Sequence, residues 1–198
     1  MWLDHLPASV AFCDVETTGL GHHDRIVSFG GIGMISRDLA KGRPDLACLY
    51  LVFDPGTGNH RDAERIHGFS DSVLRLQDPF AVHAAEVGRF LTSYELLVAH
   101  NAAFDLRFIN REMRLAGLPV LTRPVYCTMK GYRALDLGGS ASLTAALPPH
   151  QARSCWRSAR RDRGRLARDA DLPLAARLPA SGSIARLAPS HSIQLASR

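Results

Sequence analysis

Apolar residues along the first three quarters of the chain fall into blocks whose period changes from one block to the next. Three early blocks, residues 10 to 16, 25 to 34 and 47 to 53, are short, rich in Val, Ile, Leu and Phe, and bounded by turn-forming residues, the pattern of strands. Farther on the spacing becomes helical. One helix is predicted over 80 to 92 and another over 102 to 116, where Phe104, Phe108, Ile109 and Met113 recur at helical intervals and Gly117 supplies a stop. A short strand over 96 to 100 separates them, a helical patch lies near 60 to 67, and a last strand near 125 to 127 leads into a helix over 128 to 135. Three leading strands with short connections, followed by alternating helix and strand, imply an α/β fold with a central mixed sheet flanked by helices.

Inside these blocks, the polar residues that break the apolar pattern carry the chemistry. Asp14 and Glu16 stand one residue apart in the first strand, so alternation places both on one side of the sheet. Adjacent anions with no basic residue close in sequence are costly unless cations neutralise them, and oxygen-only ligands suit Mg²⁺ or Mn²⁺. Thr17-Thr18-Gly19 ends the strand sharply, at a turn. Asp105 falls in the first turn of the helix over 102 to 116, where the helix dipole favours a carboxylate whether or not it has another role. With Asp14 and Glu16, it completes a trio of acids from neighbouring elements, the raw material of a two-metal phosphoryl-transfer site.

At these residues the chain resembles a known family. Phe12-Cys13-Asp14-Val15-Glu16-Thr17-Thr18-Gly19-Leu20 is similar to the first motif, and His100-Asn101-Ala102-Ala103-Phe104-Asp105 to the second, of the 3′-to-5′ exonucleases related to the proofreading epsilon subunit of DNA polymerase III. Asp24-Arg25-Ile26-Val27, Ile66-His67-Gly68-Phe69 and Tyr126-Cys127-Thr128-Met129 agree with it, and the resemblance runs from about residue 8 to 147. It implies a ribonuclease H-like fold and divalent-metal-dependent hydrolysis of phosphodiesters from 3′ ends, with Mg²⁺ or Mn²⁺ on Asp14, Glu16 and Asp105. It also implies that Leu20 wedges against the terminal base, that the Thr17 and Thr18 backbone meets the 3′ hydroxyl, that Asn101 contacts the last sugar or phosphate, and that His67 faces the cleft. Local readings stand beside these: Leu20 as turn cover, the Thr pair as strand-end hydrogen bonding, Asn101 as a helix cap and His67-Gly68 as a helix end. Arg107 and Arg111, one turn apart, read as a solvated helix face, with an approach to phosphates as the alternative. The implied partners are a single-stranded DNA 3′ end, with RNA not distinguished from it, and a DNA polymerase subunit.

Members of this family complete the site with a third motif, His-x-x-x-x-Asp, on a final helix. Of nine histidines only His100 has an Asp five places on, and that Asp is Asp105, already in the second motif. The variant Tyr-x-x-x-Asp matches Tyr132 and Asp136, a string short enough to arise by chance and placed too early in the chain. A general base contributes about a hundredfold to ten-thousandfold, so a chain without one is expected to be impaired.

Charge separates the end of the chain from the rest. Residues 148–198 hold ten Arg, no Lys, no Glu and three Asp, a net of +7 against +5 for the whole chain, so residues 1–147 carry −2. The basic pI therefore says nothing about the part that bears the motifs. Rich in Arg, Ala, Pro and Ser, residues 148–198 read as a poorly ordered tail produced by a frame change or fusion, the closing helix having been lost; the alternative is an Arg-rich nucleic-acid-binding tail. Four Cys without CxxC spacing indicate neither zinc nor a disulfide framework, and Cys13 reads as a small core residue. No leader or membrane span is visible, which points to a cytoplasmic protein without membrane partners. Two readings stay open besides an active exonuclease: an impaired nucleic-acid-binding protein and a non-functional truncated product.

Overall fold

The computed structural model describes residues 7–39, 46–136 and 138–146. The expectations for residues 148–198 and for a helix lost beyond residue 147 lie outside these. Strands β1 (Ser9–Thr17), β2 (Ile26–Ile35) and β3 (Leu46–Val52) form an antiparallel meander, with helix α1 (Ser36–Leu39) following β2. Helices α2 (Arg61–His67), α3 (Asp71–Leu74) and α4 (Phe80–Thr92) precede β4 (Leu96–Ala99), which pairs parallel to β1. Helix α5 (Ala102–Leu115), strand β5 (Val125–Cys127), parallel to β4, and helices α6 (Thr128–Ala134) and α7 (Leu143–Ala146) complete the described chain. The sheet order is β3-β2-β1-β4-β5, the mixed sheet that the apolar blocks predict.

Strand alternation divides the sheet into two unlike faces. Ala11, Cys13 and Val15 of β1, Phe29 of β2 and Leu97 and Ala99 of β4 turn inward against Phe80, Ala84, Val87, Phe90 and Leu91 of α4 and Phe108, Ile109 and Met113 of α5. Cys13 is part of this core, and burial pushes its thiol up to about 12, with the charges of Asp105 and Asp14 adding to the effect. Two glycines of β2 make room for aromatic rings. A Cβ on Gly31 would strike Phe90, and one on Gly33 would lie inside the ring of Tyr94. Gly33→Ala is therefore expected to cost about 1 to 3 kcal/mol by overpacking, read as a lowered urea midpoint with an unchanged slope.

The opposite face is covered in part: Ser28, Val52 and Val98 are buried, Val52 against Phe69 and Leu74. Along the register Tyr126, Val98, Phe12, Ile32 and Cys48 form one row across all five strands, and Tyr126, Phe12 and Ile32 are 51, 42 and 43 % exposed. Asp14 and Glu16 follow Phe12 along that face of β1. The acids thus stand on the face opposite the core that α4 and α5 cover.

Candidate active site

β4 pairs with β1 only as far as Phe12, opposite Val98, and ends at Ala99. Beyond that point the β4-facing side of β1 lacks a strand partner, and the buried N–H of Val15 needs another acceptor. Asp105 provides it. Its Oδ1 accepts from the Val15 N–H at 3.1 Å, so one carboxylate from the first turn of α5 is fixed to the strand that carries the other two. Asp105 is 2 % exposed. Burial, then the charge of Asp14 and to a lesser degree that of Glu16, push its carboxyl up to about 7, against the lowering effect of the Val15 N–H and its own backbone N–H. The charges of Asp14 and Glu16 thus both act on the Asp105 carboxyl.

Asp14 is exposed, yet the protein atoms around its carboxyl raise its pKa, and nearby His100 offsets part of that rise. His100 is held by a 3.0 Å hydrogen bond between its Nδ1 and Thr128 Oγ1, which ties the end of β4 to the start of α6. Among the described residues, no three His, Cys, Asp or Glu side chains form a group that could hold a metal ion as they stand. In kind the acid trio fits a hard divalent cation, being oxygen-only. In number it falls short of the four acids that the resemblance implies.

The residues expected to meet substrate separate into exposed and internal ones. Leu20 is 76 % exposed at the tip of the loop after β1. Asn101 is exposed at the N-terminus of α5 with φ 65° and ψ 44°, a left-handed conformation that Asn tolerates better than most residues, and its side chain makes no cap hydrogen bond. Asn101 thus holds the N-cap position, its carbonyl accepting the Phe104 N–H at 2.8 Å, without a side-chain cap bond. Thr18 is bound into the loop. It is fully buried, its N–H donates to the Arg25 carbonyl at 2.9 Å, and its carbonyl accepts from the His60 N–H at 2.8 Å. Its hydroxyl donates to Asp24 Oδ1 at 2.8 Å, so Thr18 braces the loop. Thr17 is likewise buried, with its hydroxyl donating to the Gly19 carbonyl at 2.6 Å.

His67 is 1 % exposed; its Nδ1 accepts from the Phe69 N–H at 3.0 Å, its ring stacks on Phe69, and Gly68 at φ 78° ends α2. These contacts give the ring a local role at the end of α2, the helix-end reading of His67-Gly68. Arg107 is exposed, as a solvated helix face requires, and both arginines also reach the loop after β1. Arg111 donates to the Asp24 carbonyl at 2.7 Å, and Arg107 to the Leu20 carbonyl at 3.1 Å while lying over the Phe104 and Phe108 rings. Tyr132 is half-buried in α6, but Asp136 lies past the end of that helix with φ 49°, so the two do not share a helix face.

From sequence, Asp24 and Arg25 stand out only as part of the run that opens β2, and His60 and the Arg25–Glu112 pair do not stand out at all. Glu112 could have been found, because it continues the buried stripe Asp105, Phe108, Ile109 at helical spacing and a carboxylate there requires a cationic partner.

Known proteins with related sequences and folds point the same way. A family model described as an exonuclease matches residues 11–146. The DNA polymerase III subunit epsilon of Rickettsia felis is 37 % identical over 106 residues, 52 % of this chain and 43 % of that protein. That of Buchnera aphidicola is 28 % identical over 142 residues, 67 % of this chain and 58 % of its own length. The chain thus spans about half the length of these relatives. Among solved structures, exonuclease X in complex with 5′-overhanging duplex DNA is 25 % identical with a TM-score of 0.50, covering 67 % of this chain and 68 % of its own. A product-bound exonuclease I, 16 % identical, has a TM-score of 0.58 over 66 % of this chain and 32 % of its own, which shows the ribonuclease H-like fold. A further exonuclease I complex with single-stranded DNA holds a zinc ion. No described helix is long and apolar enough to cross a membrane. With a family match that spans β1 to α7, residues 11–146, the chain belongs to the exonuclease family.

Proposed function

We propose that this chain is a divalent-metal-dependent 3′-to-5′ exonuclease of the proofreading type, acting in the cytoplasm on single-stranded DNA 3′ ends and working alongside a DNA polymerase subunit. The observation that carries this reading is the Asp105 carboxyl, bonded to Val15 and pushed up to about 7 by burial and by the charges of Asp14 and Glu16. Buried like charges persist where a bound cation neutralises them. Asp14, Glu16 and Asp105 would hold Mg²⁺ or Mn²⁺, which when bound supplies an activated water and charge stabilisation on the phosphoryl oxygens. Leu20 and Asn101, the exposed members of the substrate set, contact the terminal nucleotide. The unit that carries this chemistry is residues 8–147.

One observation favours impairment. No independent His-x-x-x-x-Asp occurs in the sequence, and Asp136 leaves its helix in a left-handed turn. Digestion of a 5′-labelled single strand from its 3′ end is expected in Mg²⁺ or Mn²⁺ at a rate at least about a hundredfold below that of exonuclease X, the lower bound for losing a general base. Asp14→Ala should abolish it. Digestion that survives Asp14→Ala would overturn the assignment of the site, and strand binding with no digestion at all would replace this reading with that of a nucleic-acid-binding protein.

A further inference from the structure

The loop between β1 and β2 is organised around one side chain. Asp24 Oδ1 accepts the Thr18 hydroxyl at 2.8 Å and lies 3.3 Å from His60 Nε2, while Oδ2 accepts the Gly21 N–H at 2.6 Å. The Asp24 carboxyl is held below its ordinary range: burial works against this, but the Gly21 N–H, the Thr18 hydroxyl and His60 outweigh it. The Thr18 hydroxyl also accepts the Arg25 N–H at 3.1 Å, which closes the base of the loop. Gly19 records how tightly the loop is wrapped, because a Cβ there would collide with the His60 ring and with Asp24 Oδ2. From outside, α5 grips the same loop through Arg111 on the Asp24 carbonyl and Arg107 on the Leu20 carbonyl.

Apart from the exposed His60 ring, these contacts engage backbone groups or the buried Thr18 hydroxyl, and the Leu20 side chain is left 76 % exposed among them. A loop that served only to connect two strands would not require a carboxylate hub and two arginines to fix a projecting leucine. An apolar contact fixed in advance loses little freedom when a ligand arrives, so more of its contact energy appears as affinity.

We infer that Asp24 is a positioning residue that fixes Leu20 as a rigid contact for the terminal nucleoside of a 3′ end, an inference that rests on the exonuclease reading above. Asp24 does not touch the nucleic acid; it acts through Leu20. Loss of Asp24 should therefore erase the advantage of a strand with a free 3′ end over one without.

The test compares a 5′-fluorescent linear single strand with a circular single strand of the same composition, by anisotropy with Ca²⁺ in place of Mg²⁺. The wild-type chain should bind the linear strand more tightly. Asp24→Asn and Leu20→Ala should each weaken linear-strand binding by about tenfold, the effect of about 1.4 kcal/mol, and leave the circle unchanged. The double variant should be no weaker than either single one, since both changes remove the same contact. Arg107→Gln, which releases the Leu20 carbonyl without touching the hub, should lower the end preference by a smaller factor and guards against misfolding of Asp24→Asn. A wild-type chain without end preference, an Asp24→Asn variant that keeps it, or effects of Asp24→Asn and Leu20→Ala that add would each overturn the inference. End preference that is lost in Asp24→Asn, in a chain whose digestion ignores Asp14→Ala, would sink the catalytic reading and leave the placement of Leu20 standing.

Discussion

Replacing Asp105 with asparagine is expected to raise the melting temperature of the metal-free chain at pH 8 by several degrees and to remove any stabilisation by Mg²⁺ or Mn²⁺. An unfolded Asp ionises near pH 3.9, roughly three units below the value of about 7 that Asp105 has in the fold. Between those values the folded chain holds a proton that the unfolded chain has released, so stability falls as pH rises from about 4 to 7. Above that the loss is complete, on the order of a few kcal/mol, which for a domain of this size is several degrees. The amide introduced by Asp105→Asn would keep an oxygen for the Val15 N–H and carry no charge toward Asp14 or Glu16. A divalent cation requires the ionised carboxylate, so metal binding should strengthen as pH rises through about 7 and should vanish in the variant. Thermal melts of both proteins from pH 4 to 9, with and without Mn²⁺, decide the matter. Parallel pH profiles for wild type and Asp105→Asn would show that Asp105 does not carry the strain.

The sequence revealed this site unevenly, for physical reasons. Asp14, Glu16 and Asp105 were legible because alternation along a strand and position in a helix's first turn are set by local geometry. The longer elements were legible too, since each spans enough residues to show its period. Helices α1, α3 and α7, of four residues each, are a single turn and show none. The burial of Thr18 and His67 was not legible, because burial is a property of the assembled loop and not of the string Thr-Thr-Gly or His-Gly. The contacts of Arg107 and Arg111 were hidden for the same reason: their acceptors are carbonyls 87 residues away in sequence.

The bond that joins those distant parts carries the other large prediction. Arg25, at the foot of the loop, donates from Nε to Glu112 Oε1 at 2.6 Å and from Nη2 to Oε2 at 2.8 Å, a two-point contact between a partly exposed guanidinium and a carboxylate 2 % exposed. The hydrogen bonds to Glu112, aided by its charge, keep Arg25 above its ordinary value against the effect of burial. Arg25→Met should cost about 3 to 5 kcal/mol, because Glu112 is left ionised with no partner inside the α5 packing. Lysine in place of Arg25 should rescue only part of this, since a single ammonium cannot match both oxygens. If the penalty comes from the stranded carboxylate, adding Glu112→Met to Arg25→Met should recover most of it, and urea midpoints of the four proteins measure each step. The consequence reaches the site. Glu112 lies two turns along α5 from Asp105, and Arg25 adjoins Asp24, so one ion pair sets both the loop that presents Leu20 and the helix that delivers the third acid to β1. A double variant that recovered stability but not the preference for a strand's 3′ end would show that the pair orients the two elements as well as holding them together.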